Sequence, residues 1–298
     1  MQPTTLNSET TVGILYCGDM GSAFGKLLRE GGLRVVTTCE GRSRTTQQQA
    51  VASGIEILPK LEDVVAQSHF VFSLVLPSAA VEVARNYAAC CRVRPQESVF
   101  IEANAINMET MEEIDRLMAE RNIPLVDAAI QGVKRLQNLG VLYLSGPKAR
   151  RVEAVCQGLV LVNCVGTRIG LASQMKLLML ALSNGLAALA LETGMLAERA
   201  GMLEPFLKSC QQLYSGVMTV VERTLPTYPR HAARRAVDVR EIEEMAHSLG
   251  LRAGMTHEAG ELIQFVASLQ WDKMKLEDPS DIRTIIHSVA NARPPEKK

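Results

Sequence analysis

Apolar positions divide this chain into two regimes. As far as Gly166 they come in short runs separated by polar, helix-forming stretches, whereas beyond Leu171 they recur at helical spacing with almost no strand signal. Thr11 to Leu28 (TVGILYCGDMGSAFGKLL) reads as a strand, a glycine turn at Gly18 and Gly21, and a helix. RVVTT (34–38) and IEIL (55–58) are predicted strands, and residues 60–67 a helix. FVFSLVL (70–76), stopped by Pro77, has the continuous apolarity of a strand buried on both faces. A helix over 79–90, a strand SVFIEA (98–103), a charged helix over 108–121 and strands at 124–128, 141–144 and near 159–165 follow. This alternation predicts a doubly wound, largely parallel α/β sheet.

The second regime predicts one long apolar helix over 172–200 and amphipathic segments around 203–222, 237–249 and 257–269. The expected organisation is therefore a Rossmann-type α/β domain over 1–167 and an all-α domain over 168–298, with the boundary near Gly166–Gly170. The apolar stretch Leu177–Leu191 is interrupted by Ser183, Asn184 and Gly185, short of the ~20 residues a membrane span needs, so a buried helix is expected. A helix this apolar on several faces needs more covering than a small domain provides, which implies oligomerisation.

Composition narrows the partners. Lys plus Arg and Asp plus Glu both total 32, so no net field favours nucleic acid or an anionic membrane. The seven cysteines form no C-x-x-C and the five histidines no H-E-x-x-H, so no metal site is expected. Odd-numbered cysteines with Cys90 beside Cys91 read as reduced thiols, and the polar N-terminus shows no signal peptide. A cytoplasmic protein acting on a small molecule is the expectation.

Four segments carry candidate chemistry. In the turn Tyr16-Cys17-Gly18-Asp19-Met20-Gly21, Gly18 allows close approach of a pyrophosphate and Gly21 allows tight helix packing, although Tyr16 stands where G-x-G-x-x-G has its first glycine. That residue is tolerable if its φ is negative and its ring has space beside the cofactor. EGRSRT (40–45) follows the second strand, where specificity is set: Glu40 speaks for NAD, and Arg42, Ser43 and Arg44 for the 2′-phosphate of NADP, which is preferred. Lys176 is the only charge between Arg168 and Glu192, a setting for either proton transfer or a snorkelling surface lysine. Asn104 and Gln131 follow strand ends and offer amides to a polar ligand.

In order, GILYCGDMG, SLVLP, EANAIN, LVDAAIQG, LYLSGP and GLASQMK resemble the β-hydroxyacid dehydrogenase superfamily, and PRHAARRAVDVREIEEMA its 6-phosphogluconate dehydrogenase-like branch with a short helical C-terminal domain. The resemblance implies that Gly18, Asp19, Met20 and Gly21 hold the pyrophosphate, that Leu76 and Pro77 border the nicotinamide half, and that Asn104 lies near its ribose. It implies Gln131 and Gly132 in the substrate loop, Lys176 as acid/base, and a homodimer. Three positions depart from the pattern: Tyr16 for glycine, Gln131 for serine, and Leu180 for an asparagine one turn after the lysine. The last two argue against a classical small hydroxyacid or 6-phosphogluconate and for a bulkier or less polar substrate. The expected function is an NADP(H)-dependent dehydrogenase or reductase of a hydroxy/keto substrate. The alternatives are a reductase of C=N or another activated double bond, and a non-catalytic cofactor-binding paralogue. Arg230, His231, Arg234 and Arg235 form a basic cluster that suits a carboxylate or phosphate, or simply a solvated face.

Overall fold

The computed structural model describes residues 10–90, 92–95, 97–132, 140–274, 278 and 280–292. Two compact units divide them, at Lys176/Leu177. The first alternates β1 (Thr11–Leu15), α1 (Asp19–Glu30), β2 (Arg34–Thr38), α2 (Arg44–Ala52), β3 (Glu56–Leu58), α3 (Leu61–Gln67), β4 (Phe70–Ser73), α4 (Ala80–Ala89), β5 (Val99–Glu102), α5 (Met108–Ala119), β6 (Leu125–Gln131), β7 (Val141–Ser145), α6 (Ala149–Cys156) and β8 (Leu161–Gly166). The sheet order is β3-β2-β1-β4-β5-β6-β7-β8. Every neighbouring pair is parallel except β6–β7, the one departure from the parallel expectation.

Alternation along the strands feeds two cores. Val12 and Ile14 of β1 and Phe70 and Phe72 of β4 meet Phe24, Leu27 and Leu28 of α1 and Val152 and Cys156 of α6. Leu15 and Val71 face the other way, onto Val64 and Val65 of α3, Tyr87 of α4 and Met111, Ile114 and Met118 of α5. Each such fully buried large side chain contributes about 1.5–3 kcal/mol of transfer free energy. β4 ends at Ser73, short of the apolar run that announces it, because the next backbone groups turn to other partners. The Leu74 carbonyl accepts from Tyr16 N (3.4 Å), and Val75 N donates to the Asn104 side chain (2.5 Å).

The chain then enters α7 (Leu171–Arg199), a continuous helix of 29 residues. The unit boundary lies inside it, later than the expected break at 167/168, because its first turn is bonded to the sheet: Ala172 N and Ser173 N both donate to Asp127. The second unit comprises the rest of α7 with α8 (Leu203–Leu213), α9 (Ser215–Thr224), α10 (Tyr228–Ser248), α11 (Gly254–Ser268) and α12 (Ile282–Asn291). Its core gathers Leu191, Leu225, Tyr228, Val239, Ile263, Val266, Ile285 and Ile286. Contrary to the buried-helix expectation, α7 is long and apolar enough to cross a membrane by length and composition (mean hydropathy 1.5), and only 28% of that window is buried within the chain. Leu178, Leu182, Leu189 and Leu196 are exposed.

Candidate functional site

The chain order reverses between β1 and β4, and ligands of open α/β sheets bind at the carboxyl ends of strands at such a switch point. Gly18 caps α1 there with φ −74° and no side-chain bond to the helix amides. A Cβ on Gly18 would meet no described atom within 4 Å, so neither backbone angle nor packing demands glycine. What glycine preserves is open space above a helix N-terminus, the setting that binds phosphate. Gly21 is different: its Cβ would lie 2.0 Å from the Tyr16 carbonyl oxygen, so glycine there is a packing requirement. Asp19, which would otherwise crowd a pyrophosphate, accepts from Gln49 Nε2 of α2 at 2.6 Å. Met20 packs against the α1-side core. Tyr16 is 7% exposed, and among the described residues Asn122 alone has positive φ outside glycine, so Tyr16 needs no left-handed φ.

The loop after β2 is sorted by its hydrogen bonds. The Glu40 carboxylate accepts from Leu61 N at the start of α3 (3.4 Å), and Ser43 caps α2 by accepting from Thr46 N. Arg44 is the first residue of α2. The Arg42 guanidinium lies over the Tyr16 ring, 4.3 Å from its centroid. Leu76 and Pro77 are exposed after β4, at the same edge of the sheet. The residues expected to bind cofactor therefore cluster at the carboxyl ends of β1, β2, β4 and β5.

A buried polar row crosses the sheet beneath that edge, since the strand register aligns Ser73, Glu102, Asp127 and Ser145 on four adjacent strands. Asn104 is spent within it. Its side-chain N–H groups go to Ser73 Oγ (2.9 Å) and Glu102 Oε1, and its carbonyl accepts from Val75 N. Asn104 is thus first a brace between the ends of β4 and β5, and its amide has no N–H left for a ribose. Glu102 Oε2 is buried without a partner, and burial pushes this carboxyl up to about 7, against the donors from Asn104. A carboxyl raised in the folded state holds a proton there that the unfolded chain has released. Stability attributable to Glu102 therefore falls as pH rises from about 4.5 to about 7, by at most about 1.4 kcal/mol per pH unit, and the cost persists above. Glu102→Gln, which keeps the acceptor and removes the charge, is expected to be the more stable form above pH 7 and to show a flatter pH dependence in that window. Parallel denaturation curves at pH 4.5–8 check this, and identical slopes would contradict it.

Asp127 binds the start of α7 to the sheet. Its Oδ2 accepts from Ser145 Oγ (2.9 Å), Ala172 N (2.9 Å) and Ser173 N (3.1 Å), and its Oδ1 from Ser173 Oγ (2.7 Å). Burial raises this carboxyl above its usual range, opposed by those donors. β6 runs on past Asp127 to Gln131, followed by Gly132 at φ +81°, a left-handed conformation that favours glycine. Tyr143 Oη donates to Gln131 Oε1 at 3.3 Å, and the Tyr143 ring clusters with Ala129, Ala172 and Met175, the residue before Lys176. The structure thereby links Gln131 through Tyr143 to the first turns of α7, on which Lys176 is half-buried. Tyr143 and Asp127 are members that the sequence reading passed over as candidates, because strand register supplies the link. Leu180, one turn further along α7, belongs to the second unit.

In that unit the basic cluster is divided. Arg230, His231 and Arg234 are exposed, whereas Arg235 turns inward to Asn184 Oδ1 (2.7 Å) and Thr227 Oγ1 (2.8 Å) beside Tyr228.

Comparison with known proteins matches this architecture. A family model described as the NAD binding domain of 6-phosphogluconate dehydrogenase covers residues 11–162, and one described as a domain of unknown function (DUF1932) covers 197–266. A conserved protein of unknown function, described as structurally similar to 3-hydroxyacid dehydrogenases, is 25% identical, with 86% of this chain and 96% of that chain covered and a TM-score of 0.72. The Mycobacterium tuberculosis 3-hydroxyisobutyrate dehydrogenase is 18% identical, with 94% and 99% covered and a TM-score of 0.73. An imine reductase from Pseudomonas sp. is 16% identical, with 87% and 94% covered and a TM-score of 0.57. The last two likenesses are likenesses of fold.

Proposed function

The chain belongs to the family of the NAD binding domain of 6-phosphogluconate dehydrogenase; on that premise we propose that it is a nicotinamide-dependent oxidoreductase that transfers hydride between NADP(H) and a hydroxy/keto substrate of hydroxyacid type, with Lys176 as acid/base. The observation that carries the proposal is the open Gly18 above the N-terminus of α1, with Arg42 of the loop after β2 over the ring of Tyr16. Gly18, Met20 and the first amides of α1 suit the pyrophosphate, while Arg42, Ser43 and the first turn of α2 suit the 2′-phosphate. Glu40, the residue that would favour NAD, is engaged at α3 instead.

The bound nicotinamide supplies or accepts the hydride. In reduction, the Lys176 ammonium gives its proton to the developing alkoxide oxygen; in oxidation, the neutral amine takes the hydroxyl proton. Gln131 and Gly132 are proposed to line the substrate, and Leu180 to make its surroundings more apolar. Reduction of C=N is the second reading, favoured by the loss of the serine and asparagine at Gln131 and Leu180. A second copy of the chain is proposed to cover the exposed leucines of α7, giving a homodimer in the cytoplasm.

NADPH is expected to raise the melting temperature more than NADH at equal concentration. Gly18→Val should abolish the NADPH shift and change the unliganded melting temperature far less, because a Cβ at this position meets no described atom within 4 Å. An undiminished shift in that variant would place the cofactor elsewhere.

A further inference from the structure

We propose that Tyr16 is a specificity-determining positioning residue: its ring is the shelf that holds the Arg42 guanidinium where the 2′-phosphate of NADP(H) docks. The inference rests on the NADP reading above and assigns a task to the residue that breaks the glycine fingerprint. A glycine at this position would offer no side chain. Tyr16 instead places a ring in the core that contains Val36, Leu58 and Val64, and 7% exposure fixes that ring. Arg42, by contrast, is an exposed residue of a short loop, whose long side chain would lose much rotamer freedom on meeting a ligand.

Stacking changes that cost. A guanidinium whose Cζ lies over the ring, 4.3 Å from its centroid, is attracted by the ring face and keeps its N–H donors for a phosphate. Among the described residues Arg42 makes no ion pair, and the carboxylate two residues before it is engaged at Leu61 N. The same loop delivers the N-terminus of α2, capped by Ser43, directly after Arg42. A fixed cation and a helix N-terminus thus meet on one loop, and the aromatic shelf is what fixes the cation.

The test is a double-mutant cycle on the full chain, with dissociation constants for NADPH and for NADH measured calorimetrically. Arg42→Ala is expected to weaken NADPH about 10- to 100-fold, as for the loss of a charge-assisted hydrogen bond, and NADH by less than about threefold. Tyr16→Leu should weaken NADPH about 3- to 10-fold and leave NADH nearly unchanged, and Tyr16→Phe should bind like the parent because the ring face is kept. With Arg42→Ala already present, Tyr16→Leu should cost nothing more. Equal losses for both cofactors, or a full additional loss in the double variant, would overturn the shelf and leave Tyr16 a core residue.

Arg42→Lys gives a second measurement should Tyr16→Leu not fold. Lysine keeps the charge but lacks the planar face, so a loss of about 3- to 10-fold confined to NADPH is expected, and wild-type binding would overturn the proposal. If Arg42→Ala leaves the NADPH to NADH ratio unchanged, the NADP reading itself fails and the shelf fails with it. That outcome is distinct from a failure of Tyr16 alone.

Discussion

Lys176→Ala is expected to lower turnover about 10²-fold or more and to leave NADPH affinity within about threefold, because a positioned general acid contributes about 10²–10⁴-fold. The expectation follows from where the lysine is anchored. Its helix begins at Leu171 and the first turn is bonded to Asp127 of β6 and Ser145 of β7, so the lysine is carried on a fixed element. Lys176→Arg should also lose most of the rate, since a guanidinium stays protonated and serves poorly as a base. Full activity of Lys176→Ala toward a true substrate would remove the lysine from the mechanism and move the C=N reading forward.

Asp127→Ala should cost about 3 kcal/mol or more of stability. Four donors converge on this carboxylate, two of them amides in the first turn of a helix, and bonds to a charged acceptor are worth about 1.5–3 kcal/mol each in mutational series. Ala172 and Ser145 are buried, so their donors, left without this acceptor, add to the loss. Asp127→Asn keeps the shape but presents an amide N–H where donors already point, so it should be less stable than the parent while exceeding alanine. The readout is chemical denaturation, with turnover measured well below the transition midpoint. A stability loss under 1 kcal/mol would mean that α7 is held by packing alone. If Asp127 positions Lys176, the folded fraction of the asparagine variant should also show reduced kcat at nearly constant KM for NADPH.

Much of the α/β unit is legible in the sequence because its strands are short apolar runs between breakers. RVVTT is a strand from Arg34 to Thr38, and SVFIEA contains Val99–Glu102. Elements without such contrast escape. α2 (RTTQQQAVA) buries only Ala50, and α6 hides its stripe of Ala149, Val152, Val155 and Cys156 among charges. α12 carries Ile282, Ile285, Ile286 and Val289 at helical spacing, a signal that was available and went unread. The glycine turn and Lys176 are visible as motifs. The polar row beneath them is not, because Ser73, Glu102, Asp127 and Ser145 become neighbours only through register between strands far apart in the chain. For the same reason Asn104 looks like a ligand group in the sequence and is a brace in the fold.

The passage of α7 through the unit boundary bears on how such a chain can diversify. No extended segment separates the residues before Lys176 from those after Leu177, so a protease finds no hinge to nick there and recombination finds no neutral seam. An exchange of helical units between relatives that cuts at this point would have to keep the helix in phase, because a one-residue slip rotates everything downstream by about 100°. The connection between β8 and α7, ahead of the first helical turn, carries no such phase requirement. A graft made there carries Lys176, the proposed acid/base, along with the new helical unit, so the two are inherited together as one cassette.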